Sequence, residues 1–166
     1  MPLEQDIHQR EFRNEHHKAI LNILYTHNYL VGKINDLFKD FEITRQQYNV
    51  LRILRGQFPG PASINLIRDR MLDNMSDASR IVERLRIKDL IKREDCKNDR
   101  RAVEITITEK GLSLLESMQG EVDKLDAMLH ELTEDEARQL NSLLDKIRTR
   151  NSQKQTSDWE LKEVNS

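Results

Sequence analysis

From Glu15 to Phe41 the apolar positions Ile20, Ile23, Leu24, Leu30, Val31, Ile34, Leu37, Phe38 and Phe41 recur mostly at intervals of three and four. That spacing predicts an amphipathic helix of about seven turns. Gly32 inside it is a mild cost or a point of close packing. Thr44 followed by Gln47 has the spacing of a capping box and predicts the start of a second helix. Tyr48, Val50, Leu51, Ile53 and Leu54 carry that helix to a stop at Gly56. Phe58-Pro59-Gly60-Pro61 cannot be helical. Ser63 then predicts the cap of a short helix bearing Ile64, Leu66, Ile67 and Met71. Leu72-Asp73-Asn74 breaks the pattern. Asn74 or Ser76 is the expected cap of the next helix, which holds Ala78, Ile81, Val82 and Leu85 and ends near Lys88.

The period then changes. Leu90 to Glu94 reads as a short strand, and Asp95 to Arg101 is polar and turn-like. Val103 to Thr108 alternates with period two and is rich in β-branched residues, a clear strand pattern. A hairpin with a long polar loop and a basic tip is expected. Thr108 is the expected cap of a further helix of about twenty residues, with Leu112, Leu115, Met118, Val122, Leu125, Met128, Leu129 and Leu132 at helical spacing. Thr133 with Glu136 forms a second capping box. It opens a last helix through Ala137, Leu140, Leu143, Leu144 and Ile147. The stretch Asn151–Ser166 is polar around Trp159 and is expected to fray unless it docks. No internal repeat or low-complexity tract is visible.

Composition narrows the classes. The chain has 166 residues, 5 Gly and 3 Pro, with 37% hydrophobic and 34% charged residues. Few breakers argue for long helices and against an all-β sandwich, which needs frequent turns. No apolar run approaches the roughly 18 residues of a membrane span. Met1 to Asp6 lacks the pattern of a secretory signal, so the cytoplasm is the expected compartment. A single cysteine, Cys96, excludes an intramolecular disulfide and a multi-cysteine zinc site. There is no Gly-rich phosphate loop, no His-Glu-x-x-His and no Gly-x-Ser-x-Gly, so no enzyme and no cofactor are expected. Glu134-Asp135-Glu136 resembles a carboxylate cluster. It opens a capped helix, where negative charge favours the helix dipole.

The formal net charge is −2, yet the charge is unevenly spread. Residues 68–101 carry 11 Lys/Arg against 8 Asp/Glu, while residues 102–166 carry 8 against 14. A phosphate-binding surface needs local positive charge rather than a basic chain. A helix about 10–12 Å across fits the major groove of B-DNA, and its first turns can face base edges. Ser76, Asp77, Ser79 and Arg80 stand at that point, with Arg84 one turn on. Arg100 and Arg101, in the hairpin loop with Lys97 and Asp99, could enter a narrow minor groove, whose negative potential attracts guanidinium groups.

The run Leu85-Arg86-Ile87-Lys88-Asp89-Leu90-Ile91-Lys92-Arg93, then Asp99-Arg100-Arg101 and Ile107-Thr108-Glu109-Lys110-Gly111, resembles the MarR (multiple antibiotic resistance regulator) family. That family's pattern is a Leu-rich recognition helix, a Gly-Leu-Ile/Val turn, an Arg, an Asp-x-Arg wing and a strand ending Leu-Thr-x-x-Gly. The close match spans about residues 76–111, and the helix order agrees over roughly 15–150. Asp89 replaces the usual Gly, which is tolerable because Asp visits the left-handed region more readily than most residues. Ile107 replaces Leu.

The resemblance implies a mainly α fold with a small β-hairpin wing, a winged helix-turn-helix with N- and C-terminal dimerisation helices. Residues 1–42 would be the N-terminal arm and dimerisation helix, and 43–111 the DNA-binding domain. Residues 112–150 would be the C-terminal dimerisation helices and 151–166 a polar tail. It implies a homodimeric, ligand-responsive repressor on a near-palindromic operator in double-stranded DNA. Asp99 would brace the wing by pairing with an Arg while a wing Arg enters the minor groove. Tyr25, Tyr29 and Tyr48 would line a cavity for a small aromatic or phenolic effector, or simply pack. The alternative is a winged-helix protein-interaction module that dimerises without binding DNA, and a cationic wing tip argues against it.

Other residues have plainer readings. Lys92, Arg93 and Lys97 could lower the Cys96 thiol pKa, but an incidental exposed thiol is the simpler expectation. His8, His16 and His17 have no partner at a recognisable ligand spacing, so no metal site is expected. Met118 and Met128 read as core.

Overall fold

Asn14 opens the long N-terminal helix, its side-chain oxygen accepting the His17 N–H at 2.9 Å. The coordinates are those of a computed structural model. They describe the backbone of residues 2–73, 75–96 and 99–163, and the side chains of these except 96, 99–102 and 150–163. The chain divides into two compact units, Met1–Glu121 and Val122–Ser166.

In the first unit a single turn, α1 (Leu3–Asp6), precedes the long helix α2 (Glu15–Phe38). Leu3 is buried, and Glu4 meets Lys18 of α2 at 2.5 Å. The sequence pattern predicts helix to Phe41. Instead Lys39–Phe41 is a 3-10 turn, because Glu42 takes a left-handed conformation (φ 55°) and its N–H closes back on the Lys39 carbonyl. Such tightening satisfies carbonyls at a helix end.

Helix α3 (Arg45–Arg55) begins at the expected capping box. The Thr44 N–H donates to Gln47 Oε1 at 2.9 Å, and the Gln47 N–H to Thr44 Oγ1 at 3.2 Å. Its apolar face buries Val50, Leu51 and Leu54 completely. Ser63 caps α4 (Ile64–Arg70) as predicted, accepting the Leu66 N–H at 3.1 Å. Helix α5 (Ala78–Ile87) differs at its start. Its cap is Asp77, which accepts the Arg80 N–H at 3.2 Å, rather than Asn74 or Ser76. Asn74 lies outside the described residues. Ser76 is engaged by Asp73 instead.

Strands β1 (Ile91–Cys96) and β2 (Asp99–Ile107) form an antiparallel hairpin, with Ile91 opposite Ile107 and Glu94 opposite Glu104. The expected long loop is mostly strand: the ladder runs to Cys96 opposite Asp99, with an irregularity between Asp95 and Cys96. Polar residues are tolerated in a ladder with solvent on its outer face. Ala62 adds one bridge to the sheet, exchanging hydrogen bonds with Ile105 at 2.8 and 2.9 Å. Ile67, Val82, Leu85 and Ile105 are fully buried with the α3 residues, so the core lies where α3, α4, α5 and the hairpin root converge.

The expected twenty-residue helix is broken in two, α6 (Glu109–Ser117) and α7 (Gln119–Ala127). The break falls at buried Met118, whose N–H donates to the carbonyls of Leu114 and Glu116. Ser117 Oγ also donates to Leu114 O at 2.8 Å, and Gly120, a poor helix former, follows.

In the second unit the last helix, α8 (Glu134–Glu163), starts at the predicted box. Glu136 Oε2 accepts the Thr133 N–H at 2.8 Å, and Thr133 Oγ1 accepts the Glu136 N–H at 3.3 Å. The helix passes through Asn151 to Glu163, where fraying was expected. No Gly or Pro occurs after Gly120, so the strongest helix breakers are absent from this stretch. Among the described residues no helix is long and apolar enough to cross a membrane.

Candidate nucleic-acid interface

Helix α5 is two-faced because its apolar residues follow the helical repeat. Ala78, Val82 and Leu85 are buried, and Ser79, Arg80 and Arg84 are exposed. Arg80 and Arg84 stand one turn apart, so their side chains share a face. A cleft of about 250 Å³ runs between this face and the start of α3, lined by Thr44, Gln46, Gln47, Ser76, Asp77, Arg80, Ile81 and Arg84. The fold thus gathers Ser76, Asp77, Arg80 and Arg84 onto one surface, with Ser79 exposed beside it. Thr44 and Gln46 were missed in the sequence. The local signal nearest them is the Thr44–Gln47 capping box, to which Gln46 does not belong, and nothing in the chain says that it faces α5.

Two of the expected groups are engaged within the chain. The Asp77 carboxylate caps α5, accepting the Arg80 N–H at the helix N-terminus. Ser76 precedes the helix, and its hydroxyl donates to Asp73 Oδ2 at 2.7 Å. That bond, with the Met75 N–H, Arg45 and Gln46, holds the Asp73 carboxyl below its ordinary pKa of 3.8.

The hairpin is fastened to the end of α5. Glu83 pairs with Arg86 at 2.7 Å and lies 4.0 Å from Arg93 of β1. The Arg86 hydrogen bond keeps the Glu83 carboxyl below its ordinary range. Asp89 adopts the left-handed conformation (φ 59°) that its place in the turn requires. Thr108 Oγ1 donates to Asp89 O at 2.8 Å and accepts the Gly111 N–H at 3.1 Å. A Cβ at Gly111 would lie 2.3 Å from the Leu90 carbonyl oxygen, so only glycine fits. The Thr108-Glu109-Lys110-Gly111 motif is therefore a clamp at the wing root. Lys88 Nζ donates to Glu42 O, and Lys110 Nζ to Lys88 O at 2.8 Å. The backbone of Asp99, Arg100 and Arg101 begins β2 at the outer end of the hairpin. Lys97 lies outside the described residues.

The three tyrosines separate. Tyr25 and Tyr29 line a recess of about 360 Å³ with Leu3, Asp6, Asn22 and Thr26. Tyr48 packs on Phe38 with ring centroids 4.6 Å apart, and the Arg52 guanidinium lies 6.0 Å from its ring centroid. A second recess, of about 480 Å³, is bounded by Phe41, Ile43, Leu90 and Leu114 with Lys88 and Lys110. Its lining comes from three distant segments, so no sequence signal marks it. Among the described residues no cluster of three or more His, Cys, Asp or Glu could hold a metal ion.

Helix, turn, helix and a clamped hairpin define a winged helix-turn-helix protein. Residues 41–102 match the model of the MarR family. The chain is 31% identical over 113 residues to the HTH-type transcriptional regulator MgrA of Staphylococcus aureus, covering 68% of this chain and 75% of that one. A MarR transcription factor structure from Planctomyces limnophilus is 29% identical, with TM-score 0.63 over 81% of this chain and 98% of that one. A mutant MarR from E. coli complexed with operator DNA is 24% identical and shares the fold, with TM-score 0.71 over 83% of this chain and 99% of that one. The chain belongs to the MarR family of transcriptional regulators.

Proposed function

We propose that the chain is a homodimeric, sequence-specific DNA-binding repressor of the cytoplasm, released or retained on its operator by a small aromatic or phenolic effector. The observation that carries this reading is α5. Its exposed Ser79, Arg80 and Arg84 stand opposite a buried apolar face and beside the hairpin. This arrangement suits a helix lying in the major groove. Arg80 is the proposed base reader, because a guanidinium can bond guanine O6 and N7 together. Arg84 and the wing residues Lys97, Arg100 and Arg101 are proposed to contact phosphate and the minor groove, with Asp99 bracing the wing. Tyr25 and Tyr29 are the proposed effector seat, and Tyr48 serves packing.

A second copy is proposed to cover the apolar residues that this chain leaves exposed. Ile20, Ile23 and Leu24 on α2 and Leu140, Leu143 and Ile147 on α8 are each more than 40% exposed. Obligate interfaces often bury more than about 2,000 Å² in total. With two-fold symmetry the half-site centres would lie roughly 10 bp apart.

The test is selection from random DNA, followed by gel shifts at two salt concentrations. A near-palindrome is expected. Arg80→Ala should lose about 1–3 kcal/mol of discrimination between matched and mismatched sites. Selection that returns no sequence would leave the interaction-module reading in its place.

A further inference from the structure

The turn between α4 and α5 holds two large apolar side chains out in solvent. Met71 at its start is buried, yet Leu72 is 85% exposed and Met75 is 95% exposed. Hydrogen bonds hold the described residues of this turn. The Leu72 N–H donates to Asn49 Oδ1 of α3 at 3.1 Å. Asp73 Oδ1 accepts the Met75 N–H at 3.1 Å, and Asp73 Oδ2 accepts from Ser76 Oγ at 2.7 Å. The turn leads directly into Ser76, Asp77 and the exposed face of α5.

We infer that Leu72 and Met75 are specificity-determining residues that contact thymine methyl groups in the operator. This inference rests on the DNA-binding reading above. Where α5 enters a major groove by its first turns, the turn before it meets the same groove. Charged phosphates along the edge give an apolar side chain no reward, and sugars offer it contact without sequence information. The groove floor offers one apolar element, the thymine C5-methyl. Unbranched, polarizable Met75 suits a contact of varied geometry. The two residues thus add an apolar readout next to the polar readout of Arg80.

The experiment uses the full-length protein and the operator obtained by selection. Each thymine of a half-site is replaced in turn by uracil, which removes only the methyl group. At one or more thymines the parent should bind about fourfold more weakly, the value of shielding one methyl-sized group from water. Met75→Ala or Leu72→Ala should abolish that penalty at those thymines and leave the Arg80-dependent discrimination intact. Both side chains are exposed, so an unchanged melting temperature should show that the variants fold.

Equal binding of thymine and uracil operators by the parent would overturn the inference. So would a selected half-site without thymine, or an undiminished penalty in both variants. Each of these leaves DNA binding standing. Failure to select any sequence would remove both readings, and that result is distinct from the others.

Discussion

Replacing Gly111 by Ala places a methyl 2.3 Å from the Leu90 carbonyl oxygen and 2.8 Å from Ile107 Cγ1. Ordinary contact needs about 3.4 Å or more, so α6 and residue 90 must part by about 1 Å. The obstacle is backbone, which cannot swing away as a side-chain end can. Overpacking of this kind costs about 1–3 kcal/mol. Separation also stretches the Thr108 N–H to Leu90 O bond, now 3.1 Å. Its loss adds about 1 kcal/mol. The helix preference for Ala over Gly returns up to about 1 kcal/mol, less in a first turn. The net expectation is a loss of about 2 kcal/mol. At about 2–4 °C per kcal/mol for a chain of this size, the melting temperature should fall by about 4–8 °C. Thermal denaturation followed by circular dichroism reads this, at fixed protomer concentration because assembly shifts apparent stability. Gly32→Ala and Gly120→Ala are the controls. Among the described residues nothing lies within 4 Å of a Cβ at either position, so both should hold or raise the melting temperature. A Gly111→Ala protein that melts with the parent would refute the clamp.

Three further outcomes follow from the geometry. Asp73 has a folded pKa below 3.8, chiefly through its Ser76 bond, so the turn's order is present above that value and lost as pH falls through the folded pKa. Met75 and Ser76 amide resonances should titrate with a midpoint below 3.8, and Asp73→Asn should remove the titration; a midpoint at or above 3.8 contradicts the assignment. Leu143, 59% exposed on α8, should be a dimer contact: Leu143→Asp should sediment as a monomer and lose operator binding, and a dimeric variant would exclude that role. Arg101→Ala should weaken specific and non-specific DNA binding alike and lower the salt slope by about one unit. An unchanged slope would take the wing out of the phosphate-contacting surface.

Local pattern alone was enough for the order of the main elements and for most of the helix starts. Thr44 with Gln47, Ser63, Thr108 and Thr133 with Glu136 all cap where the pattern puts them, because a cap bond spans only three residues. The left-handed Asp89 was legible for the same local reason. Tertiary structure decided what depends on distant neighbours. Asp77 caps α5 because Asp73 engages Ser76. Thr44 and Gln46 join Arg80 and Arg84 only because α3 packs beside α5. Tyr48 leaves the other tyrosines because Phe38 supplies its partner. Gly111 is required by the Leu90 carbonyl, twenty-one residues back in the chain. Periodicity and capping act within a turn or two of helix. A cleft, a clamp or a close approach exists only once separate segments are packed at atomic distance.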